Sequence, residues 1–298
     1  MGYLDGLSIA VTGAGRGIGR AVAMAAAEAG ANVVVADFGV AMDGKDPDSE
    51  VANAVVEEIK GAGGSAVAVA DTVTTMEGGA RIVQTAVDSF GKIDGVVCVA
   101  GILRERMLFN MSEDEWDPVI ETHLKGTFTV FRAAAPIFRE QKSGTMISFT
   151  SGAFAGSVAQ ANYSAAKGGI VSLTRSAAVG MYKYGVTANV IAPVAKSRMS
   201  GQVPMELQMG EPEDVAPMVV WLLGPAAREV TGQIYTVNGG HIAVWDQPHE
   251  VRAMDKDGRW TVDEITARFG EVGQEKMGMI DRLEEMAKAA ASGVKPNE

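Results

Sequence analysis

The stretch Thr12-Gly-Ala-Gly-Arg-Gly-Ile-Gly19 decides the fold, because of the residues on either side of it. An apolar run over residues 7–12 precedes it, and an alanine-rich segment over residues 18–29, closed by Gly30, follows it. This order predicts a strand, a tight turn and a helix. Glycines let the backbone approach a ligand closely, and the free N–H groups of a helix N-terminus attract phosphate. A phosphate-binding loop is therefore predicted, although glycine spacing alone also occurs in turns that bind nothing.

The alternation of apolar runs and amphipathic segments continues along the chain. Strand-like runs cover residues 32–37, 66–70, 95–100, 145–150, 187–192 and 233–237, and helix-like segments cover residues 50–61, 77–90, 116–141, 163–184 and 214–223. Strands that alternate with helices are joined by right-handed crossovers and form a parallel sheet. This pattern predicts an α/β protein with a Rossmann-type, doubly wound parallel sheet of about seven strands and helices on both faces, in one domain over residues 1–240.

Two segments stand outside the alternation. Residues 38–49 form a polar, acidic loop after the second strand, and residues 241–298 form a C-terminal extension of mixed composition. In the extension Thr261 stands three residues before Glu264, which is the spacing of a capping box at the start of a helix. We expect the extension to pack on the domain or on a partner subunit, with its last dozen residues frayed.

The composition narrows the class of protein and its partners. The formal net charge is −11, and 47% of the residues are hydrophobic. Nucleic acids and anionic membrane surfaces attract basic proteins, so neither is an expected partner. Glycine or charge interrupts every apolar stretch before it reaches a bilayer-spanning length. With a single cysteine, Cys98, and no charged-then-apolar leader before the first strand, we expect a globular protein in a reducing, cytoplasmic compartment and no metal site.

Asp37 is placed to choose the cofactor. It ends the second predicted strand, where this fold meets the ribose of an adenosine. A carboxylate accepts hydrogen bonds from the ribose hydroxyls and repels a 2′-phosphate, so NAD is predicted rather than NADP. Phe38 follows, where a phosphate site would often have a cation. A helix-capping role for Asp37 is the alternative. Arg16 in the glycine loop is a cation, which complicates the choice between NAD and NADP; the alternative is that its side chain is solvated.

Tyr163-Ser-Ala-Ala-Lys167 places a phenol and an ammonium four residues apart, on one face of a helix. An unperturbed tyrosine has a pKa of about 10, and a neighbouring cation lowers it by stabilising the phenolate. The pair is therefore suited to general acid/base chemistry on an alcohol. Taken alone, the same spacing is also typical of a solvated helix face.

With Ser148-Phe-Thr-Ser-Gly152 at the end of a strand upstream, and Ala100-Gly101 after another, the chain resembles the short-chain dehydrogenase/reductase family. The resemblance implies that a serine hydroxyl orients the substrate oxygen, Tyr163 exchanges the proton, and Lys167 holds the ribose and lowers the tyrosine pKa. Counting forward from the strand gives Ser151 as that serine, whereas counting back from Tyr163 gives Thr150. Ser151 is the preferred choice, and the other hydroxyl would bond the backbone at the strand end.

Two departures from the general family pattern point to a narrower resemblance. Cys98-Val-Ala-Gly101 stands where Asn-Asn-Ala-Gly is usual, and His123 stands where the family has an asparagine. The chain looks like the (3R)-hydroxyacyl-CoA dehydrogenase portion of peroxisomal multifunctional enzymes, which also carry the histidine. The stretches that carry this likeness are Ala-Gly-Ile-Leu-Arg-Glu-Arg-Met over 100–107, Asp-Glu-Trp-Asp over 114–117, His-Leu-Lys-Gly over 123–126 and Gln-Ala-Asn-Tyr-Ser-Ala-Ala-Lys over 160–167.

This resemblance implies oxidation of a (3R)-3-hydroxyacyl-CoA to the 3-oxoacyl-CoA by NAD, in a homodimer or homotetramer packed through the helices at Trp116 and Tyr163. The catalytic set would be Ser151, Tyr163, Lys167 and His123, with a direct proton role and a buried structural role equally open for the histidine. The residues expected to contact the cofactor are Gly13, Arg16, Gly17, Ile18, Gly19, Asp37, Asp71, Thr72, Ala100, Gly101, Tyr163, Lys167, Pro193 and Ser197.

Two other functions are also compatible with the sequence. The segment between Ser197 and the helix at Asp214 is rich in methionine, which suits an adaptable apolar pocket for an acyl chain or for a steroid-like or other cyclic alcohol. The changes at Cys98 and His123 instead leave room for a catalytically weak dinucleotide-binding protein that senses redox state. The intact Tyr163 and Lys167 pair argues against the sensor.

Overall fold

The computed structural model describes residues 2–41, 44, 47–196, 209–273 and 277–291. The chain divides into two compact units, Met1–Trp245 and Asp246–Glu298. Each unit has its own secondary structure, and all of the expected site residues except Ser197 lie in the described part of the first.

The first unit is built on one twisted sheet. Its strands are β1 (Ser8–Thr12), β2 (Asn32–Ala36), β3 (Ser65–Val69), β4 (Gly95–Cys98), β5 (Gly144–Phe149), β6 (Val186–Pro193), β7 (Ile234–Asn238) and β8 (His241–Val244). They lie in the order β3-β2-β1-β4-β5-β6-β7-β8. The seven predicted strands are all parallel, which confirms the doubly wound α/β fold, and β8 adds an antiparallel edge strand made from residues that the sequence assigned to the extension.

Helices cover both faces of the sheet. They are α1 (Gly17–Glu28), α2 (Glu50–Gly61), α3 (Met76–Phe90), α4 (Glu113–Ile120), α5 (Gly126–Gln141), α6 (Ala161–Met181) and α7 (Pro212–Leu223). Buried side chains of α1, α2 and α7 form one core with the sheet, and those of α3, α5 and α6 form another on the opposite face. Because both faces are covered, the central strands β1 and β4 are buried along their whole length and appear in the sequence as continuous apolar runs.

One predicted helix is interrupted. The segment expected to run over residues 116–141 consists of α4 and α5, joined by a π-helical turn over Glu121–Lys125. A π turn inserts one extra residue into a helix and is found most often at functional sites. Here it carries His123.

The strand order also fixes where a ligand can bind. The chain leaves β1 toward β2 on one side and reaches β4 on the other, so the loops after β1 and β4 separate at the carboxyl edge of the sheet. A crevice opens at such a point in doubly wound sheets. The glycine loop over residues 12–19 lies on one side of it.

The second unit contains α8 (Val262–Arg268) and α9 (Gly278–Ala291). The predicted capping box is confirmed, since the Thr261 N–H donates to Glu264 Oε2 at 2.8 Å and the Glu264 N–H donates to Thr261 Oγ1 at 3.3 Å. Two cations, Lys256 and Arg268, lie 5.5 and 5.0 Å from the ring centroid of Trp260. Among the helices in the described part of the chain, none is long and apolar enough to cross a bilayer.

Candidate active site

The glycine loop is shaped by close backbone contacts. Gly13 has a φ of +66°, and a Cβ atom on it would lie 2.7 Å from the backbone of Ala100, in the loop after β4. A Cβ on Gly19 would lie 2.0 Å from the carbonyl oxygen of Gly13. Side chains at these positions would therefore push the loop away from the sheet or fill the turn. The first turn of α1 carries neither an acidic residue nor a side-chain cap, which leaves its N–H groups available to an anion.

The crevice beside this loop is a cavity of about 370 Å³. Ten of the residues expected to contact a cofactor line it: Gly13, Arg16, Gly17, Ile18, Gly19, Asp37, Asp71, Thr72, Ala100 and Gly101. The walls also include residues that the sequence did not single out, among them Val73, Thr74, Arg104, Pro118, Glu121 and Thr122. These come from the loops after β3 and β4 and from the junction of α4 with the π turn, which sequence spacing does not relate to the glycine loop.

Asp37 ties the glycine loop to the loop after β2. One carboxylate oxygen accepts the N–H of Gly15 at 2.8 Å, and the other accepts the N–H of Gly39 at 2.7 Å. Helix α2 begins much later and has Ser49 at its N-cap position, so the helix-capping alternative for Asp37 is wrong. Arg16 donates to the carbonyl of Val40 at 3.3 Å and lies on the cavity wall.

Tyr163 and Lys167 occupy one face of α6, as their spacing predicts. The Lys167 ammonium lies 5.4 Å from the centroid of the Tyr163 ring and donates a hydrogen bond to the carbonyl of Phe149, at the end of β5, at 2.7 Å. Burial raises the pKa of the Tyr163 phenol to about 12, against a smaller lowering of that pKa by the hydroxyl of Ser151. Burial also lowers the pKa of Lys167 to about 7. In the ligand-free protein the tyrosine pKa is therefore raised by desolvation, opposite to the lowering by the lysine that the sequence predicts.

The two hydroxyl candidates after β5 have different surroundings. Thr150 is buried, and its hydroxyl donates to the carbonyl of Lys167 at 2.9 Å. The Ser151 hydroxyl accepts the N–H of Ala153 at 3.2 Å and lies close enough to Tyr163 to lower its pKa. Thr150 therefore braces β5 against α6, whereas Ser151 is the hydroxyl beside the phenol.

His123 is fully buried against the loop after β4. Its Nε2 lies 2.8 Å from the carbonyl oxygen of Ile102 and 3.2 Å from the Ile102 nitrogen, and Nδ1 has no partner. The ring meets Tyr163 edge-on, with the ring centroids 5.2 Å apart. Burial, and secondarily the charge of Lys167, lower the His123 pKa to about 3. The imidazole is therefore neutral at physiological pH, and the shorter contact assigns its proton to Nε2.

Other expected positions fall into three groups. Asp71 forms an ion pair with Arg81, which lowers the Asp71 pKa, and its carboxylate also accepts the N–H of Thr72 at 2.8 Å. Cys98 is buried on β4, and burial raises its pKa, which fits an inert packing role. Pro193 ends β6, while Ser197 lies outside the described residues, as does most of the methionine-rich segment.

A glycine-lined crevice at the switch point of a doubly wound sheet is typical of a dinucleotide-binding fold. The residues that line this cavity do not include Tyr163 and Lys167, which share one face of α6. The chain belongs to the short-chain dehydrogenase/reductase family, and the family model that matches it, described as enoyl-(acyl carrier protein) reductase, covers residues 13–241. A solved short chain dehydrogenase from Mycobacterium avium superposes with a TM-score of 0.82 at 46% identity, over 91% of this chain and 96% of that one.

Two curated relatives carry more specific names. A hydroxyacyl-CoA dehydrogenase of Mycobacterium tuberculosis is 40% identical over 282 residues, which are 89% of this chain and 87% of the relative. A peroxisomal hydratase-dehydrogenase-epimerase of Neurospora crassa is 44% identical over 242 residues, which are 80% of this chain. The matched part is 27% of the Neurospora crassa protein.

Proposed function

We propose that this chain is an NAD-dependent dehydrogenase that oxidises (3R)-3-hydroxyacyl-CoA thioesters to 3-oxoacyl-CoA thioesters. The observation that carries the proposal is the group formed by Ser151, just after β5, and by Tyr163 and Lys167 in the first turns of α6. The similarity over nearly the whole length of a relative named hydroxyacyl-CoA dehydrogenase supports the substrate class.

The residues of the crevice fit a nicotinamide dinucleotide. A Cβ on Gly13 would collide with Ala100, so the loop has no side chain where a pyrophosphate would approach, and the N–H groups of α1 are free to bind it. The Asp37 carboxylate on the cavity wall favours ribose hydroxyls over a 2′-phosphate, which supports NAD. Asp71 and Thr72 would flank the adenine, and Pro193 and Ser197 the nicotinamide. The bound cofactor supplies the hydride acceptor.

The side chains divide the proton chemistry between them. Ser151 would orient the substrate hydroxyl, and the Tyr163 phenolate oxygen would take its proton. Because burial holds the phenol protonated in the ligand-free protein, the phenolate requires positive charge beside it. Lys167, with a pKa of about 7, would supply that charge in its protonated form. Lys167 would also bind the ribose.

His123 fits the role of a neutral hydrogen-bond acceptor beside this group. Its Nε2 proton is engaged by the Ile102 carbonyl, and its low pKa rules out a proton-donating imidazolium near neutral pH. Its Nδ1 is buried without a hydrogen-bond partner and would be the atom that accepts from a water in a proton relay.

A substrate panel tests the proposal. Purified protein would be mixed with NAD or NADP and with (3R)- and (3S)-3-hydroxyacyl-CoAs of several chain lengths or with cyclic alcohols, and nicotinamide reduction followed by absorbance. We expect turnover with the (3R) thioesters and NAD. Turnover confined to cyclic alcohols would favour the steroid-like alternative, and dinucleotide binding without turnover would favour the redox sensor.

We also propose a homodimer or homotetramer. Apolar side chains are exposed on the helices that the resemblance assigns to the subunit contact, including Trp116 on α4, Phe128 on α5 and Val179 on α6. Such an assembly would bury these exposed apolar side chains. Light scattering on the purified protein would measure the number of subunits, and a monomer at micromolar concentration would contradict this assembly.

A further inference from the structure

We propose that Asn162 is a positioning residue for catalysis: its carboxamide fixes the start of α6, and with it Tyr163, against the two segments that complete the site. This inference rests on the proposed function insofar as Tyr163 is the proton acceptor. Asn162 lies within the stretch over residues 160–167 that carries the family likeness, but the resemblance gives it no role.

The Asn162 carboxamide is buried, and both its oxygen and its nitrogen have hydrogen-bond partners. Asn162 has no exposed surface. Its Oδ1 accepts the N–H of Tyr163 at 2.7 Å, and its Nδ2 donates to the carbonyls of Arg104 and Glu115 at 2.8 and 2.7 Å. These three contacts fix which end of the amide is oxygen, since an N–H needs an acceptor and two carbonyls need donors.

The hydrogen bond to the Tyr163 N–H satisfies a donor in the first turn of α6. Helix α6 begins at Ala161, and Gln160 occupies the N-cap position. The Gln160 side chain makes no capping hydrogen bond. The first N–H groups of a helix have no partner within the helix, and a buried unpaired N–H is costly. Asn162 satisfies the N–H of Tyr163 itself, so the backbone carrying the phenol is held directly by the carboxamide.

The other two contacts join α6 to the walls of the site. The Arg104 carbonyl belongs to the segment after β4 that also includes Ile102, the partner of His123. The Glu115 carbonyl lies in α4. His123, whose Nε2 contacts the Ile102 carbonyl, meets the Tyr163 ring edge-on. The segment after β4 is therefore linked to the Tyr163 ring through His123 and to the Tyr163 backbone through Asn162. Loss of the Asn162 carboxamide removes its hydrogen bonds to the backbone and leaves the contact between the His123 and Tyr163 rings in place.

Asn189 provides a matched control. It is also fully buried, and its carboxamide also bridges backbone groups: Nδ2 donates to the Val230 carbonyl at 2.6 Å, and Oδ1 accepts the Gln233 N–H at 3.1 Å. It lies on β6 and braces the segment before β7. Asn162→Ala removes three buried hydrogen bonds to the backbone and Asn189→Ala removes two, and both should lower the melting temperature by several degrees.

The experiment compares the two variants in activity. For Asn162→Ala we expect kcat to fall by about 10- to 100-fold, as for a small misplacement of a reacting group, with the Kd for NAD changed by less than about threefold. The pH profile of kcat should shift, because the surroundings of the phenol change. For Asn189→Ala, kcat should stay within about twofold despite its loss of stability. Equal kcat values in the two variants would overturn the proposal.

Two additions keep the result interpretable. Asn162→Ser keeps an acceptor near the Tyr163 N–H and cannot bridge both carbonyls, so it should give an intermediate kcat and replaces the alanine variant if that protein does not fold. Fluorine NMR of protein carrying 3-fluorotyrosine at position 163 needs no substrate. We expect the resonance to split or broaden with Asn162→Ala or Asn162→Ser and to stay single with Asn189→Ala. An unchanged resonance would refute the positioning role, whereas inactivity of the unaltered protein on every hydroxyacyl-CoA would refute only the proposed substrate.

Discussion

Lys167→Met should make the ligand-free protein more stable near pH 6 and less stable above about pH 10. Burial lowers the lysine pKa from 10.5 to about 7. At a pH where Lys167 is charged in both the folded and the unfolded protein, this difference destabilises the folded protein by about 5 kcal/mol. The penalty is complete below pH 7 and disappears as the pH rises toward 10.5, because the unfolded chain then holds a proton that the folded protein has released. Stability of the unaltered protein should therefore rise across that window.

The substitution also has a cost of its own. It removes the 2.7 Å hydrogen bond to the Phe149 carbonyl, and an unpaired buried carbonyl costs about 1–3 kcal/mol. The net gain near pH 6 should then be roughly 2–4 kcal/mol, and above pH 10 the variant should be less stable by about 1–3 kcal/mol. A group needed for catalysis commonly lowers stability in this way.

Urea unfolding at several pH values, without NAD, measures this crossing. Lys60→Met is the control, because Lys60 lies exposed on α2 and its substitution removes the same charge without changing burial. The control curve should run parallel to that of the unaltered protein. A Lys167→Met protein that is less stable at every pH, or whose curve runs parallel to that of the control, would refute the reasoning.

Three further predictions concern the cofactor crevice and His123. Asp37→Ala should weaken NAD binding by about tenfold or more and narrow the preference over NADP, as measured by titration calorimetry; an unchanged preference would remove Asp37 from cofactor selection. Gly13→Ala forces a side chain into a left-handed conformation and against Ala100, so thermal unfolding should show a loss of about 2–5 kcal/mol, and wild-type stability would contradict the close approach. Because the folded His123 pKa is about 3, the protein should lose stability as the pH falls from 6.5 toward 3, and His123→Asn should lessen that loss; equal acid midpoints would argue against it.

The sheet and the glycine loop could be predicted from the sequence because their signals are local. Strands buried on both faces appear as short apolar runs, and the glycines stand between a strand and a helix in the sequence itself. Strand β8 escaped prediction because it has only four residues and its side chains are largely exposed, so its short apolar run gives no alternation of buried and exposed positions. The π turn escaped because one added residue shifts the apolar period of a helix very little.

The candidate site was predictable in its residues and less so in its energetics. The spacing of Tyr163 and Lys167 shows that they share a helix face, and it says nothing of how deeply that face is buried. Desolvation therefore reversed the expected direction of the Tyr163 pKa in the ligand-free protein. The role of Asn162 could not be predicted because its partners Arg104 and Glu115 are distant in sequence and contribute backbone carbonyls. Every residue type has a backbone carbonyl, so the sequence does not indicate these contacts.

The most direct test of the central claim is the initial rate of NADH formation from a pure (3R)-3-hydroxyacyl-CoA and its (3S) isomer, in the unaltered protein and in Tyr163→Phe. We expect oxidation of the (3R) isomer alone, and a fall in kcat of about 100- to 10,000-fold on loss of the phenol, with NAD affinity nearly unchanged. Oxidation of both isomers at similar rates would contradict the proposed substrate. Full activity of Tyr163→Phe would contradict the proton transfer on which the mechanism depends.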